Sequence, residues 1–177
     1  AFCGLSEASA SRLQSACDVL RFELGGQLCD PSDIPARILV ILQGQARLVG
    51  RHHGRLTTVG KFGPGSVIGA ASLLCGSPCE NVIAAEEVIA CGISDELWRE
   101  LYATEASFRH WCDQQLWPQE LLKLLEALEQ NTPEVDGSAL EKLGDALQTA
   151  ERCSPDPAAV DAALAGGKLL FVTSAWG

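Results

Sequence analysis

The sequence predicts an α+β domain, mainly β, in which an antiparallel sandwich or roll lies between one opening helix and several closing helices. Residues 5–20 place apolar side chains at the three-and-four spacing of an amphipathic helix. Residues 21–93 divide into short β-type runs with turn residues between them, and helical spacing returns from Ser94 onward. At 177 residues and 47% hydrophobic content, the chain is long enough for one well-packed domain with some flanking structure.

The β-type runs are short and closely spaced, which is typical of an antiparallel sandwich or roll. They cover residues 22–24, 28–29, 38–42, 46–49, 56–62, 66–68 and 81–93. Glycine and proline mark most of the turns between them, as in Gly25-Gly26, Gly63-Pro64-Gly65 and Gly76-Ser77-Pro78.

The closing helices are predicted from their start signals and their apolar faces. Ser94 is the expected N-cap of the first helix, because a serine side chain there accepts a backbone hydrogen bond and the acids that follow suit the first turn. Two more helices are predicted at residues 104–115 and 116–128, the latter with Pro118 near its start and a leucine stripe that packs on the roll or on a partner. The stripe consists of Leu121, Leu122, Leu124, Leu125 and Leu128. A further helical segment is predicted at residues 138–150.

The pattern divides the chain into four parts. These are a helical segment at residues 1–20, the β-roll at residues 21–98, the closing helices at residues 99–153, and a linker with the first strand of a following region at residues 154–177. Residues 154–157 begin a proline-marked connection to an apolar strand at residues 168–174. The sequence contains no Met, and a lone strand at a terminus needs a sheet to pair with, so we expect it to be part of a longer protein.

The charge balance argues against partners that are held mainly through phosphate groups. The chain has 23 Asp and Glu against 13 Lys and Arg, a net charge of -10 and a pI near 4.7. Nucleic acids and anionic membrane surfaces are bound by clustered Lys and Arg, and the region after Leu116 is too acidic for a DNA-binding helix-turn-helix. No apolar run approaches the roughly 18 residues of a membrane-spanning helix, and no signal peptide is recognisable.

The eight cysteines lie in apolar runs without the rhythm of a disulfide framework, so we expect reduced, buried thiols. They are Cys3, Cys17, Cys29, Cys75, Cys79, Cys91, Cys112 and Cys153. The pair Cys75 and Cys79 lacks a second Cys or His pair at ligand spacing, so no metal site is predicted. His52 and His53 are adjacent in a predicted hairpin tip, where neighbouring side chains point to opposite faces and do not readily hold one metal.

No pattern of catalytic residues is recognisable. The sequence has no Gly-x-Ser-x-Gly elbow and no Walker-type phosphate loop. The adjacent carboxylates Asp95 and Glu96 lie at a helix start, where acids commonly serve the helix dipole. We therefore expect no catalytic residues, no cofactor and no enzyme activity.

Three segments narrow the choice among the fold families that could share this layout. Residues 38–49 (ILVILQGQARLV) form a strand, a glycine turn and a second strand; residues 60–74 (GKFGPGSVIGAASLL) form a corner, a short strand and a small helix; residues 76–85 (GSPCENVIAA) form a loop and the start of the next strand. In this order and spacing they resemble the cyclic-nucleotide-binding domain of catabolite activator proteins, cyclic-nucleotide-dependent kinases and gated channels.

The resemblance covers roughly residues 5–117 and implies an antiparallel jelly-roll (double-stranded β-helix) with helices at both ends. Gly44, Gly65, Gly69 and Gly76 fall where the family has turn glycines, which adopt positive φ without steric cost. Another small roll, such as a cupin, is the alternative.

The sequence departs from the family at the ligand site. In the family, a Gly-Glu pair opens the small helix, the Glu binds the ribose 2′-hydroxyl, and an Arg in the following loop binds the cyclic phosphate. Gly69 matches the glycine, but Ala70 stands in the place of the Glu and Cys79 in the place of the Arg. Glu80 adds a negative charge near the phosphate position, although backbone N–H groups at the helix start could still hold an anion weakly.

The candidate pocket residues are Gly69, Ala70, Ala71, Ser72, Cys79, Glu80 and Asn81. A charged hydrogen bond contributes about 1.5 to 3 kcal/mol, so the missing Arg alone costs roughly tenfold to more than a hundredfold in affinity. We therefore do not expect cyclic nucleotide binding at physiological concentration.

These features predict a degenerate family member that acts as a non-catalytic regulatory or docking module. Its expected partners are other domains of the same polypeptide or a separate protein, and Trp111 and Trp117 with the leucine stripe are candidates for a homodimer contact. Bacterial secretion-type ABC exporters of peptides and toxins carry such a domain, so we expect a host of this kind, with the module on the cytoplasmic side of the membrane. The alternative is a small-molecule sensor, of cyclic nucleotides or of a neutral or cationic ligand, with a retuned pocket.

Overall fold

The computed structural model describes residues 2–52, 55–131 and 156–166. Its β-strands form two antiparallel sheets with helices before and after them, which confirms the predicted α+β jelly roll. In chain order the elements are α1 (Glu7–Ala16), β1 (Asp18–Phe22), β2 (Gln27–Cys29), β3 (Arg37–Gln43), β4 (Ala46–His52), β5 (Arg55–Phe62), β6 (Val67–Ile68), α2 (Ala70–Leu74), β7 (Val82–Ala84), β8 (Val88–Ser94), α3 (Asp95–Thr104), α4 (Ala106–Gln114), α5 (Pro118–Asn131) and α6 (Pro157–Ala165).

Each sheet has four strands among the described residues. One sheet has the order β1-β8-β3-β6 and the other the order β2-β7-β4-β5, so strands that follow each other along the chain mostly lie in different sheets. The β4–β5 hairpin is the exception, and its register runs from Ala46 opposite Phe62 to His52 opposite Arg55. This alternation between sheets wraps the chain into a roll and closes an apolar interior between the two sheets.

The interior follows from alternation along the strands. In β8, Val88 and Ala90 are fully buried, whereas Ile89 between them is only half-buried. These side chains pack with those of the facing sheet and with two leucines from α5. The resulting cluster contains Leu28, Cys29, Leu39, Ile41, Ala46, Leu48, Ile68, Val82, Ala84, Val88, Ala90, Leu121 and Leu122.

A second cluster packs the helices against the outer side of the roll. It centres on Trp98 of α3 and Phe108 of α4, whose ring centroids lie 4.9 Å apart in an edge-to-face arrangement. Phe2 stacks on Phe108 at 5.7 Å, so the N-terminal segment closes the same cluster. As predicted, Ser94 caps α3, because its side chain accepts a hydrogen bond from the N–H of Leu97 at 3.2 Å.

Several predicted boundaries were wrong. The opening helix ends at Ala16 rather than at residue 20, and residues 18–22 form β1, because they pair with β8 at a distance in sequence that apolar spacing does not reveal. The predicted run at residues 81–93 is two strands, β7 and β8, which lie in different sheets. The predicted proline-marked connection contains α6, which Asp156 caps by accepting from the N–H of Ala159 at 3.4 Å.

Some predictions fall outside the described residues. These are the helix at residues 138–150 and the strand at residues 168–174. Of the leucine stripe, Leu121 and Leu122 are buried in the core, whereas the other side chains of the stripe lie outside the description. Among the helices that are described, none combines the length and the apolar character needed to cross a lipid bilayer.

Cys17 and Cys91 form a disulfide, so the prediction of reduced thiols was wrong for this pair. β1 pairs with β8 so that Val19 lies opposite Cys91, and Cys17 directly precedes β1. This pairing brings the Cα atoms of the two cysteines to within 5.8 Å of each other. The two cysteines are 74 positions apart in sequence, and cysteine spacing alone does not reveal a strand register of that range. Among the other described cysteines, Cys29, Cys79 and Cys112 are buried free thiols as predicted, Cys75 is half-buried, and Cys3 is exposed.

Among the described glycines, Gly44 in the β3–β4 turn has the least room for a side chain. Its φ is +88°, and a Cβ atom there would lie 2.1 Å from the carbonyl oxygen of Glu87. We predict that Gly44→Ala lowers the free energy of unfolding by about 3 kcal/mol or more, since positive φ costs about 1–2 kcal/mol and overpacking adds to it. Urea denaturation followed by circular dichroism measures this.

Two other glycines serve as matched controls for Gly44. Gly65 has φ of +87° but open space around a Cβ, so Gly65→Ala should cost only about 1 kcal/mol. Gly63 has open space and no positive φ, so Gly63→Ala should change stability by less than about 0.5 kcal/mol. Equal effects at Gly44 and Gly65 would contradict the close approach to Glu87.

Candidate functional site

The candidate site is built from α2 and the loop at residues 75–81, which together we call the α2 cassette. Gly69 precedes α2 with φ of +93°, and a Cβ atom there would lie 2.9 Å from Cγ of Pro35. A glycine is therefore needed to turn the chain from β6 into the helix. The five residues of α2 are all buried, so the helix is held as a rigid part of the roll.

Glu80 places a carboxylate at the start of α2. Its Oε1 accepts a hydrogen bond from the N–H of Gly69 at 2.8 Å, and its Oε2 accepts one from the N–H of Ser72 at 3.0 Å. The first N–H groups of a helix have no partner within the helix, and they favour a negative charge. The carboxylate thus satisfies backbone donors that would otherwise be available to an external anion.

The Glu80 side chain is fully buried, with 0% of its surface exposed. Burial raises the pKa of the Glu80 carboxyl above its usual value, while hydrogen bonds from the N–H groups of Ser72 and Gly69 and from the side chain of Gln119 oppose that rise. The arrangement resembles a bound anion except that the anion is part of the chain. An external phosphate at the same place would meet both the volume of this carboxylate and its charge when ionised.

Cys79 occupies the loop position immediately before Glu80. Its N–H donates to Oγ of Ser72 at 3.1 Å, and its Sγ lies 3.5 Å from the same oxygen and 3.8 Å from Sγ of Cys75. The hydrogen bond with Cys75, together with burial, raises the pKa of the Cys79 thiol. Cys79 is therefore a neutral thiol, and its backbone and sulfur contact Ser72 and Cys75 inside the cassette.

The helix α5 covers the α2 cassette through two polar contacts. Gln119, which is 1% exposed, donates from Nε2 to Oε1 of Glu80 at 2.9 Å. Lys123 donates from Nζ to the carbonyl oxygen of Pro78 at 2.9 Å and also to Oγ of Ser77. With Leu121 and Leu122 in the core between these polar residues, α5 is held against the cassette by apolar packing as well.

The structure brings most of the predicted pocket residues together. Gly69, Ala70, Ala71, Ser72, Cys79 and Glu80 surround the start of α2. Asn81 serves the sheet instead: its carbonyl oxygen accepts from the N–H of Val49 at 2.8 Å, and its side chain contacts Gln27. Whether these residues bind a ligand stays a prediction.

Sequence reasoning missed Gln119 and Lys123, and it assigned Glu80 only a repulsive charge. The available signal was weak, because Gln119 is one polar residue before an apolar stripe. The structure shows that the Glu80 side chain turns inward, and no sequence pattern gives that orientation.

The described part of the chain also shows how two other kinds of site stand, a metal site and a second pocket. No group of three His, Cys, Asp or Glu side chains lies close enough together there to hold a metal ion. An open pocket lies between α1 and α3, away from the cassette, and is lined by Ser11, Arg12, Ser15, Ala16, Ser94, Glu96, Leu97 and Glu100.

Residues 19–105 match the model of the family described as cyclic nucleotide-binding domain. The match supports the predicted family. It spans the roll, α2 and α3, and therefore contains the whole α2 cassette. A search of the curated proteins found no match to this chain.

Solved structures of cyclic nucleotide-binding proteins share the fold. A cyclic nucleotide-binding domain from Methylobacillus flagellatus is 21% identical, with a TM-score of 0.53 over 86% of this chain and 79% of that one. The catabolite activator protein of Thermus thermophilus is 20% identical, with a TM-score of 0.53 over 80% of this chain and 63% of that one.

The third comparison is with a kinase subunit. The regulatory subunit of a cAMP-independent protein kinase A from Trypanosoma cruzi, bound to guanosine, is 18% identical, with a TM-score of 0.56 over 73% of this chain and 45% of that one. This chain thus spans less than half the length of that regulatory subunit. At these identities the likeness concerns the fold.

Removing the Glu80 carboxylate should strongly destabilise the domain. Glu80→Ala leaves buried donors on Gly69, Ser72 and Gln119 without their acceptor, and each such group costs about 1–3 kcal/mol when it is not rehydrated. We predict a loss of about 3 kcal/mol or more in the free energy of unfolding, measured by urea denaturation.

Glu87 provides a matched control for Glu80. Its carboxylate forms an exposed ion pair with Arg21, and such pairs contribute little, so Glu87→Ala should cost less than about 1 kcal/mol. Similar losses for the two variants would show that the Glu80 hydrogen bonds do not stabilise the cassette.

Proposed function

We propose that the chain is a non-catalytic regulatory or docking module of the cyclic nucleotide-binding fold whose α2 cassette is filled by its own Glu80. The observation that carries the proposal is the pair of hydrogen bonds from the N–H groups of Gly69 and Ser72 to the Glu80 carboxylate. A module of this kind works through its surface contacts rather than through a diffusible ligand.

The residues at the family's two ligand-reading positions support the proposal. By the resemblance, Ala70 stands where a Glu binds the ribose and Cys79 where an Arg binds the phosphate. Ala70 has no side-chain acceptor, and the neutral thiol of Cys79 is engaged with Ser72 and Cys75. Each missing charged contact lowers the affinity for a cyclic nucleotide by roughly tenfold to more than a hundredfold. Repulsion between the phosphate and an ionised Glu80 adds to that loss.

The fixed position of α5 gives the module a constant surface. The resemblance to the cyclic nucleotide-binding family implies that ligand binding would move the helices behind the roll. Here Gln119 contacts Glu80 and Lys123 contacts Pro78, so the chain itself supplies the interaction that holds α5 on the cassette. The exposed faces of α5 and of the roll then serve as docking surfaces without a ligand.

We place the module in a larger protein, with the other domains of that polypeptide or a separate protein as its partner. A bacterial secretion-type ABC exporter of peptides or toxins is the proposed host, with the module on the cytoplasmic side of the membrane. A homodimer that uses Trp111 and Trp117 is a second arrangement, although both side chains already pack against the helical cluster. The acidic net charge of -10 favours basic partner surfaces.

Calorimetric titration with cAMP and cGMP tests the proposal. We predict no saturable heat with the unaltered chain at ligand concentrations up to about 1 mM. The triple variant Ala70→Glu, Cys79→Arg, Glu80→Ala restores the two ligand-reading residues and removes the internal anion, and we predict that it binds cAMP with micromolar affinity.

The double variant Ala70→Glu, Cys79→Arg is the matched control, because it keeps Glu80. It should bind at least about tenfold more weakly than the triple variant, since the carboxylate still occupies the helix start. Saturable micromolar binding by the unaltered chain would contradict the proposal and identify a nucleotide sensor.

A sensor for a neutral ligand is the second candidate function. Oε1 of Gln119 is buried and has no hydrogen-bond partner among the described residues, so it could accept a donor from such a ligand. The Trypanosoma cruzi subunit that shares this fold was solved bound to guanosine, which carries no phosphate. The test is thermal unfolding with guanosine or adenosine at about 1 mM: a reproducible rise in Tm supports the sensor, and an unchanged Tm with both nucleosides leaves the docking module.

A further inference from the structure

Two free thiols meet at the edge of the α2 cassette. Cys75 lies at the C-terminal end of α2 and Cys79 follows it after three residues, with their Sγ atoms 3.8 Å apart. Cys75 is half-buried and therefore reachable from solvent, whereas Cys79 is 8% exposed. The pair thus combines one accessible sulfur with one that is protected directly behind it.

The surroundings make the two thiols chemically unequal. The hydrogen bond with Cys79 lowers the pKa of the Cys75 thiol to about 7, the Ser77 backbone and the charge of Lys123 act in the same direction, and burial and Glu120 oppose them. The same hydrogen bond and burial raise the pKa of Cys79. Cys75 is therefore the attacking thiol of the pair, because its sulfur is the one that solvent reaches, and Cys79 is the resolving thiol behind it.

We propose that Cys75 and Cys79 form a redox-active dithiol that low-molecular-weight disulfides oxidise to an intramolecular disulfide. The Cys75 thiolate attacks one sulfur of the small disulfide RSSR, which forms a mixed disulfide and releases one thiolate RS⁻. The Cys79 sulfur then attacks Sγ of Cys75, its proton goes to solvent, and the second RS⁻ leaves. Both cysteines are oxidised, RSSR is reduced to two thiols, and the two electrons balance.

The modification would act on the neighbouring Glu80. A disulfide requires the two sulfurs to lie about 2.05 Å apart, so forming it from a separation of 3.8 Å draws Cys79 toward Cys75. Glu80 is the next residue along the chain, and its carboxylate connects α2 to Gln119 of α5. The dithiol is thus placed to change the contact between α5 and the roll, independently of whether the cassette binds a nucleotide.

The experiment uses the unaltered chain with oxidised glutathione at pH 7, followed by proteolysis and mass spectrometry of the peptides. We expect a linked Cys75–Cys79 peptide as the main product at this site, distinct from the Cys17–Cys91 link. Cys75→Ser should leave Cys79 unmodified, because Cys79 is buried. Cys79→Ser should stop at the glutathione adduct on Cys75, because the second thiol is missing.

The pH dependence of Cys75 alkylation by iodoacetamide tests the same proposal in the unaltered chain, without relying on the folding of a variant. We expect a midpoint near pH 7. A midpoint near or above the ordinary value of about 8.5 would overturn the proposal, as would a glutathione adduct on Cys75 that persists in the unaltered chain without a Cys75–Cys79 link.

Discussion

The hydrogen bonds of the Glu80 carboxylate are the interaction on which the rest of the candidate site depends. They connect the turn before α2, the first residues of α2 and the start of α5, and the bond from Gln119 to Glu80 joins residues that are 39 positions apart in sequence. A carboxylate buried without partners would be strongly destabilising, and its burial is compatible with the fold only because backbone and amide donors surround it. The position of each of these segments is therefore fixed by the others.

The same interaction accounts for the chemistry that the cassette lacks. Donors at a helix start are suited to an anion, and a fold that binds phosphate there must leave them available. In this chain the Glu80 side chain lies inward, so an internal carboxylate occupies the donors that an external anion would need. The nearby thiols of Cys75 and Cys79 then provide a different chemical input to the same group of contacts.

Much of the fold follows from local patterns in the sequence. Strand alternation, the turn glycines and the Ser94 cap act over a few residues, and the structure confirms the roll and the start of α3 that they predict. The Cys17–Cys91 disulfide and the first residue of β1 depend on the register between β1 and β8, which is a long-range property. The inward turn of Glu80 depends on donors from three separate segments, so composition and spacing identified its charge but not its partners.

Amide hydrogen exchange at Gly69 and Ser72, followed by NMR in the absence of nucleotide, tests most directly whether Glu80 fills the cassette. We predict that both amides exchange slowly in the unaltered chain and that Glu80→Ala accelerates their exchange while amides in β3 and β8 change less. Fast exchange at Gly69 and Ser72 in a chain whose strands are protected would show that the carboxylate does not occupy these donors, and it would contradict the proposal of a self-filled site.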